Sequence, residues 1–92
     1  MDSIIQLDET QCFLCGRNSW LEEHHIFGSY NRRKSEHYGL KVKLCHWCHN
    51  EPPNGAHHNK ETMQYLHETG QRAFEANYPE EDFMEIFGKN YI

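Results

Sequence analysis

The chain has 92 residues and a formal net charge of −5 at neutral pH. A chain this short buries little apolar surface, so we expect a single domain, residues 1–92, stabilised by a metal, a disulfide or a partner. The acidic balance argues against a protein that binds nucleic acid through its overall charge alone. No run of about 18 apolar residues is present, so no membrane-spanning helix and no membrane partner are expected.

Two strands are predicted in the first half of the chain. Residues 20–27 have the aromatic and branched composition of a strand, and His24 and His25 lie near its end. Residues 28–39 are polar and basic, which is typical of a long functional loop. Residues 40–44 alternate between apolar side chains and lysines, which predicts a half-buried strand that runs directly into Cys45.

Two helices are predicted in the second half. Residues 50–55 contain two prolines and are expected to form a loop. Apolar residues then follow helical spacing over residues 63–77, with Asn59 as the N-cap and with Gly70 marking a close packing contact. A last short helix is expected from Pro79 to a stop at Gly88.

Large aromatic side chains supply most of the predicted core. We assign them to the interior and not to a surface that stacks on nucleic-acid bases, because buried aromatic rings dominate the cores of small domains. They are Trp20, Trp47, Phe74, Phe83 and Phe87.

The four cysteines form two Cys-x-x-Cys pairs, Cys12 with Cys15 and Cys45 with Cys48, and twenty-nine residues separate the pairs. The N-terminus has neither the basic region nor the apolar run of a signal peptide, so we expect a cytoplasmic protein with reduced thiols. Four thiolates can close a tetrahedral site around Zn²⁺. The spacing therefore predicts one structural zinc ion in place of disulfides.

Histidines and basic residues are concentrated around the second strand. Seven of the eight histidines lie between the first strand and the long helix: His24, His25, His37, His46, His49, His57 and His58. Grouped imidazoles suit a second divalent cation, and a neutral imidazole can take a proton from water during phosphodiester hydrolysis. Residues 12–50 are net positive, and the predicted phosphate-binding residues are Arg32, Arg33, Lys34, Lys41 and Lys43.

The order of these motifs resembles the zinc-containing branch of the HNH endonucleases, the ββα-metal or His-Me finger family. It is most similar to small phage and prophage members that carry a His-His-Ile-Phe-Gly element. The resemblance covers roughly residues 12–60. It implies an α+β fold in which a zinc-stapled ββα-metal core, residues 12–60, is followed by a helical C-terminal part, residues 61–92.

The resemblance also implies roles for single residues. His25 corresponds to the general base, and His24 corresponds to a ligand of the catalytic divalent cation, which could be Mg²⁺, Mn²⁺, Ni²⁺ or Zn²⁺. A histidine after the second cysteine pair completes that site. His49 and His57 are favoured here, and His58 is left open.

The sequence departs from the family pattern at two places. The family's asparagine commonly precedes the second cysteine pair by five or six residues, where this chain has Gly39 and Leu40. The base would then need orientation from another group. Pro52 and Pro53 also interrupt the helix that normally starts at the second cysteine pair.

Two functions follow as expectations. The first is a metal-dependent DNA endonuclease or nickase, with a 3′-hydroxyl and a 5′-phosphate as products, acting in the bacterial host cytoplasm if phage-encoded. The alternative is a non-catalytic zinc-binding module of phage origin that binds nucleic acid or a protein. A homodimer or a phage or host protein stays open as a partner.

Overall fold

The computed structural model describes all residues 1–92 and has an α+β architecture with a two-stranded sheet and four α-helices. In chain order the elements are β1 (Leu21–His25), α1 (Arg32–Tyr38), β2 (Lys41–Cys45), α2 (His46–His49), α3 (Lys60–Asn77) and α4 (Phe83–Phe87). Short 3₁₀ turns cover Ser29–Asn31 and Ala56–His58. None of the helices combines the length and the apolar character needed to span a bilayer.

The sheet is an antiparallel pair in which His24 lies opposite Val42 and His25 lies opposite Lys41. Successive side chains of a strand point to opposite faces, so the two adjacent histidines face different surroundings. His24 points to the packed face and is 3% exposed. His25 shares the other, charged face with Glu23.

The N-terminal segment covers the outer side of β2. The backbone N–H of Ile4 donates to the carbonyl of Gly39 at 2.9 Å. The backbone N–H of Lys43 donates to the side-chain oxygen of Gln6 at 2.7 Å, and Gln6 itself is buried. This segment therefore occupies backbone groups that an open strand edge would leave unpaired.

The loop predicted over residues 28–39 is wrong, because this segment contains a 3₁₀ turn and the helix α1. The only buried residue of α1 is Ser35, whose hydroxyl accepts from the N–H of Phe27 at 3.0 Å and donates to its carbonyl at 2.8 Å. Polar contacts hold α1 in place, so it carries no apolar periodicity that the sequence could reveal.

The long helix is confirmed, and it begins at Lys60. Asn59 is its N-cap, as predicted, and its side chain accepts from the N–H of Thr62 at 3.0 Å. The close contact predicted at Gly70 is also confirmed, since a Cβ there would lie 2.5 Å from Cγ2 of Ile26.

The predicted start of the last helix is wrong. The helix α4 begins at Phe83 and not at Pro79, because the Asp82 carboxylate caps it by accepting from the N–H groups of Met84 and Glu85 at 3.0 and 3.3 Å. Its end at Gly88 is confirmed.

The core joins the packed face of the sheet to α3 and α4. Phe74, Phe83 and Phe87 are buried in it, as predicted. The same prediction is wrong for Trp20 and Trp47, which are 68% and 41% exposed. Trp20 lies just before β1 with a φ of +52°, and this turn in the backbone directs its ring away from the core.

Candidate metal centres and active site

The four cysteines meet at the end of the sheet where β1 begins and β2 ends. All four Sγ atoms lie within 4.8 Å of one another, and no disulfide joins them. The sulfurs of Cys15 and Cys45 are 3.6 Å apart. A tetrahedral zinc ion with Zn–S bonds of about 2.3 Å separates its sulfurs by about 3.8 Å. The cluster could therefore hold a zinc ion with little rearrangement.

Backbone hydrogen bonds fix the first cysteine turn against β2. The N–H of Gly16 donates to the carbonyl of Cys12 at 2.9 Å, and Gly16 has a φ of +82°, a conformation that favours glycine. The N–H of Phe13 donates to the carbonyl of Lys43 at 2.8 Å. Residues distant in sequence are thus brought together by the backbone itself.

The thiols respond to this packing in opposite ways. Burial opposes ionisation of Cys12, but the backbone N–H groups of Cys45, Cys15 and Leu14 outweigh it and lower the pKa of Cys12 to about 7. Burial and the neighbouring thiols raise the pKa of Cys48. Only a bound cation would favour four thiolates at such short separation.

A second cluster consists of His24 on β1, His49 on α2 and His57 in the following 3₁₀ turn. Their ring nitrogens lie within 4.8 Å of one another, and the Nε2 atoms of His49 and His57 are 3.0 Å apart. The neighbouring His58 is exposed and lies outside the cluster. The loop that contains the two prolines brings His57 back onto α2.

The buried ring of His24 has an unsatisfied nitrogen. Its Nε2 is buried and has no hydrogen-bond partner, and burial lowers the pKa of His24 to about 3, with smaller contributions from His49 and His57. A buried nitrogen without a partner costs free energy that a metal bond would recover. Three imidazoles around one point therefore fit a divalent cation of the kind that prefers nitrogen ligands.

Glu22 orients the second histidine of this cluster. Its carboxylate lies 2.8 Å from Nδ1 of His49 and accepts from the side-chain amide of Asn50 at 2.9 Å. The hydrogen bond with His49 is the main cause that lowers the pKa of Glu22. With the proton on Nδ1, the Nε2 lone pair of His49 faces the cluster, which is the usual outer-shell arrangement of a metal-binding histidine.

On the other face of the sheet, His25 is paired with Glu36 from α1. The Nε2 of His25 lies 2.8 Å from Glu36, and its side chain is only 9% exposed. Arg32 donates from Nε to Nδ1 of His25 at 3.4 Å. These contacts place the ring proton on Nε2 and leave the lone pair on Nδ1.

Glu36 is itself firmly held. Lys41 donates to its second oxygen at 2.9 Å. Lys41 is the largest cause that lowers the pKa of Glu36 well below its usual range, followed by His25 and the N-terminal amine. Glu36 is thus an ionised hydrogen-bond acceptor with a fixed position.

The histidine cluster and His25 open onto one small polar cavity. It has a volume of about 200 Å³ and is lined by Glu23, His24, His25, Gly28, Arg32, His49 and His57. No apolar side chain lines it. An anionic group in this cavity would contact the histidines of both faces of the sheet and Arg32.

The three predicted phosphate-binding lysines are engaged within the protein. Lys41 is 9% exposed, and its ammonium group lies on Glu36. The ammonium group of Lys43 lies 3.3 Å from Glu23. Lys34 donates to a backbone carbonyl of α4 at 2.5 Å. The ion pairs neutralise the charges of Lys41 and Lys43, and the carbonyl contact holds the ammonium group of Lys34 against α4 without neutralising it.

The two predicted arginines are placed differently. Arg32 and Arg33 are exposed and line an open groove of about 540 Å³, together with His25, Tyr30 and Glu36. This groove adjoins the small polar cavity through His25 and Arg32. Cationic side chains therefore flank His25 on its exposed side.

Two carboxylates of this region were missed by reasoning from the sequence. Glu22 could have been found, because strand alternation places it on the same face as His24, two positions away. Glu36 gave no such signal, since its contact with His25 depends on α1, which has no apolar pattern.

Comparison of the chain with protein-family models, with curated proteins and with solved structures finds no match. The assignment of a function therefore depends on the motifs and on the geometry of these two clusters.

Proposed function

We propose that this chain is a metal-dependent DNA endonuclease or nickase of the HNH type, stabilised by a structural zinc ion. One observation carries the proposal: a three-histidine cluster, whose buried member His24 has an unpartnered nitrogen, shares a polar cavity with a histidine held by a carboxylate. These are the two parts that hydrolysis of a phosphodiester needs, a cation site and a positioned base.

His24, His49 and His57 would hold the catalytic cation. When bound, the cation would polarise the phosphate and stabilise the leaving oxygen. A site of three imidazoles without a carboxylate favours Zn²⁺ or Ni²⁺ over Mn²⁺ and Mg²⁺, which prefer oxygen ligands.

His25 is the general base of this proposal, and its Nδ1 takes a proton from the attacking water. Glu36 accepts a hydrogen bond from Nε2–H and so fixes the ring. This contact supplies the orientation that the asparagine gives in other members of the family. Arg32 already lies at Nδ1 and would move onto the substrate phosphate, with Arg33 beside it.

The structural zinc belongs to Cys12, Cys15, Cys45 and Cys48. It would join the turn before β1 to the end of β2 and so set the position of α2, which carries His49. Reduced thiols of this kind fit the cytoplasm, where we expect the protein to act.

A non-catalytic zinc module that binds nucleic acid or a protein is the second candidate. What favours it is that Lys34, Lys41 and Lys43 are engaged internally in a chain of net charge −5. Such a module would bind its partner and leave DNA uncut with every ion.

A plasmid-nicking assay tests the proposal. Protein that has lost every metal ion except its structural zinc receives Zn²⁺, Ni²⁺, Mn²⁺ or Mg²⁺ in turn. We expect nicking with the nitrogen-binding ions and least with Mg²⁺. If none of the four ions supports nicking, the nuclease proposal fails and the non-catalytic zinc module takes its place.

The adjacent His57 and His58 provide a matched pair of variants for this assay. Both are exposed, but only His57 belongs to the cluster. His57→Ala should raise the concentration of ion needed for half-maximal nicking, and His58→Ala should not. Equal effects of the two substitutions would contradict the assigned ligands.

A further inference from the structure

Two exposed tryptophans form a stacked pair beside the metal centres. The ring centroids of Trp20 and Trp47 are 5.2 Å apart, and their planes are nearly parallel, at 6°. The guanidinium of Arg17 lies 4.3 Å from the centroid of the Trp47 ring. The three side chains form a column in the order Arg17, Trp47 and Trp20, which we call the tryptophan platform.

Folding alone does not account for the tryptophan platform. Trp20 is 68% exposed even though one face lies on Trp47, so its outer face is open to solvent. Its φ of +52° is a left-handed conformation that is unfavourable for a bulky residue. A hydrogen bond from the N–H of His46 to its carbonyl, 3.0 Å long, holds it there. The protein thus maintains a large flat aromatic surface that faces water.

Arg17 gives the tryptophan platform one cationic group without an ion-pair partner. Arg17 is exposed and belongs to none of the ion pairs of the protein. The nearby carboxylates of Glu22 and Glu51 are already bonded to the imidazole of His46, at 3.3 and 2.9 Å. Arg17 therefore keeps a guanidinium that no carboxylate of the protein contacts.

We propose that the open face of Trp20 stacks on an unpaired nucleobase and that Arg17 contacts a phosphate of the same strand. Aromatic faces bind bases of any sequence, but only bases that are not already stacked inside a duplex. This proposal rests on the proposed nuclease function and adds a substrate class to it: DNA that is single-stranded or locally melted beside the cut.

The platform is attached to the same elements as the histidine cluster. Trp47 precedes His49 by two positions on α2, so their Cα atoms are at most about 7.6 Å apart. Trp20 immediately precedes β1, which carries His24. The same two elements therefore hold the platform and the histidine cluster at a fixed separation.

The intrinsic fluorescence of the protein tests this proposal, because Trp20 and Trp47 are its only tryptophans. The zinc-loaded His25→Ala chain is titrated with an oligothymidylate of about eight nucleotides and with a hairpin duplex of about the same length. We expect the oligothymidylate to quench the fluorescence and to bind more tightly than the duplex. Binding is measured independently by anisotropy of a labelled oligonucleotide.

A pair of aromatic substitutions provides the control. Trp20→Ala should weaken oligothymidylate binding by about 5- to 150-fold, the range for loss of one base stack. Tyr65→Ala removes another exposed aromatic ring, on α3, and should change the affinity by less than about twofold.

The proposal is overturned if no oligonucleotide binds, if the duplex binds as tightly as the single strand, or if Trp20→Ala binds like its parent. The last result would leave the platform as a contact for a protein. The test does not measure cleavage, so it separates the two claims. If oligothymidylate quenches the fluorescence but the wild-type chain cuts no DNA, the platform proposal stands and the nuclease proposal fails. If the protein cuts DNA but Trp20→Ala does not change binding, the nuclease proposal stands and the platform proposal fails.

Discussion

In the proposed nuclease, the adjacent residues His24 and His25 have two different roles. Strand alternation directs His24 into the packed face, where its Nε2 has no partner, and directs His25 to the charged face, where Glu36 and Arg32 contact it. The nitrogen that binds a metal must have a free lone pair, whereas a base must be oriented but not bound to the ion. Adjacent positions on a strand meet both requirements.

His67 provides a pH-dependent prediction at the same scale. Burial, followed by the charge of Lys89, lowers the pKa of His67 below 6.5, while its ring packs against Phe27 and Tyr91. The unfolded chain therefore binds more protons below about pH 6.5, and the free energy of unfolding should fall as the pH decreases from about 7 to 5.5.

Urea denaturation at several pH values measures this effect. His67→Gln should make the dependence on pH shallower, and His37→Gln, an exposed histidine on α1, should leave it unchanged. A wild-type slope in His67→Gln would show that other groups cause the loss of stability in acid.

At the scale of elements, a helix or strand can be predicted from the sequence when local residues stabilise it, and not when distant contacts do. The strand β2, the helix α3 and the Asn59 cap were predicted because apolar periodicity and capping residues are written in the local sequence. The helix α1 was missed because Ser35 fixes it through hydrogen bonds to Phe27. The start of α4 was misplaced because Asp82, not Pro79, supplies the cap.

The same distinction between local signals and distant contacts applies to the residues of the candidate site. The cysteine pairs and the group of histidines could be found from spacing and from the family resemblance. Their partners could not, since the contact of His25 with Glu36 spans eleven positions and depends on α1. The exposed platform was also missed, because a tryptophan in a short chain is ordinarily a core residue.

Because α3 packs closely on the sheet at Gly70, we expect Gly70→Ala to lower the free energy of unfolding, which is unusual for this substitution in a helix. In an exposed helix, this substitution stabilises by about 1 kcal/mol. Here the new Cβ would lie 2.5 Å from Ile26 and 3.2 Å from Phe27. Overpacking of this kind costs about 1–3 kcal/mol, so we expect net destabilisation.

Urea denaturation gives the sign directly. Ala76→Gly, at an exposed position of the same helix, measures the propensity contribution alone. A Gly70→Ala protein more stable than wild type would mean that α3 can move away from Ile26 at little cost.

At the scale of the whole molecule, the core is small. Twenty of the 92 residues are buried, and two of the twelve apolar residues in the core are cysteines of the cluster. The two cysteine turns are joined by few contacts, among them the hydrogen bond from Phe13 to Lys43 and the contact of Arg17 with Trp47. A zinc ion that joins them would therefore add folding free energy to the entire protein.

Removal of zinc should unfold the protein. We expect a strong chelator to abolish the helical circular dichroism signal, and Cys45→Ser to purify unfolded or with a much lower melting temperature. His57→Ala should retain one tightly bound zinc and a folded spectrum. A metal-free chain with an unchanged spectrum would show that the cysteine cluster does not stabilise the fold.

The most direct test of the central claim compares nicking rates of His25→Ala and His24→Ala with the wild type, at saturating ion and with metal content measured in each. We expect His25→Ala to keep its fold and both ions and to lose about 10²- to 10⁴-fold in rate, the usual contribution of a positioned base. His24→Ala should instead lose affinity for the activating ion, and excess ion should restore part of its rate. His25→Ala cutting DNA as fast as the wild type would contradict the account, because the base would then be another group or the activity another protein's.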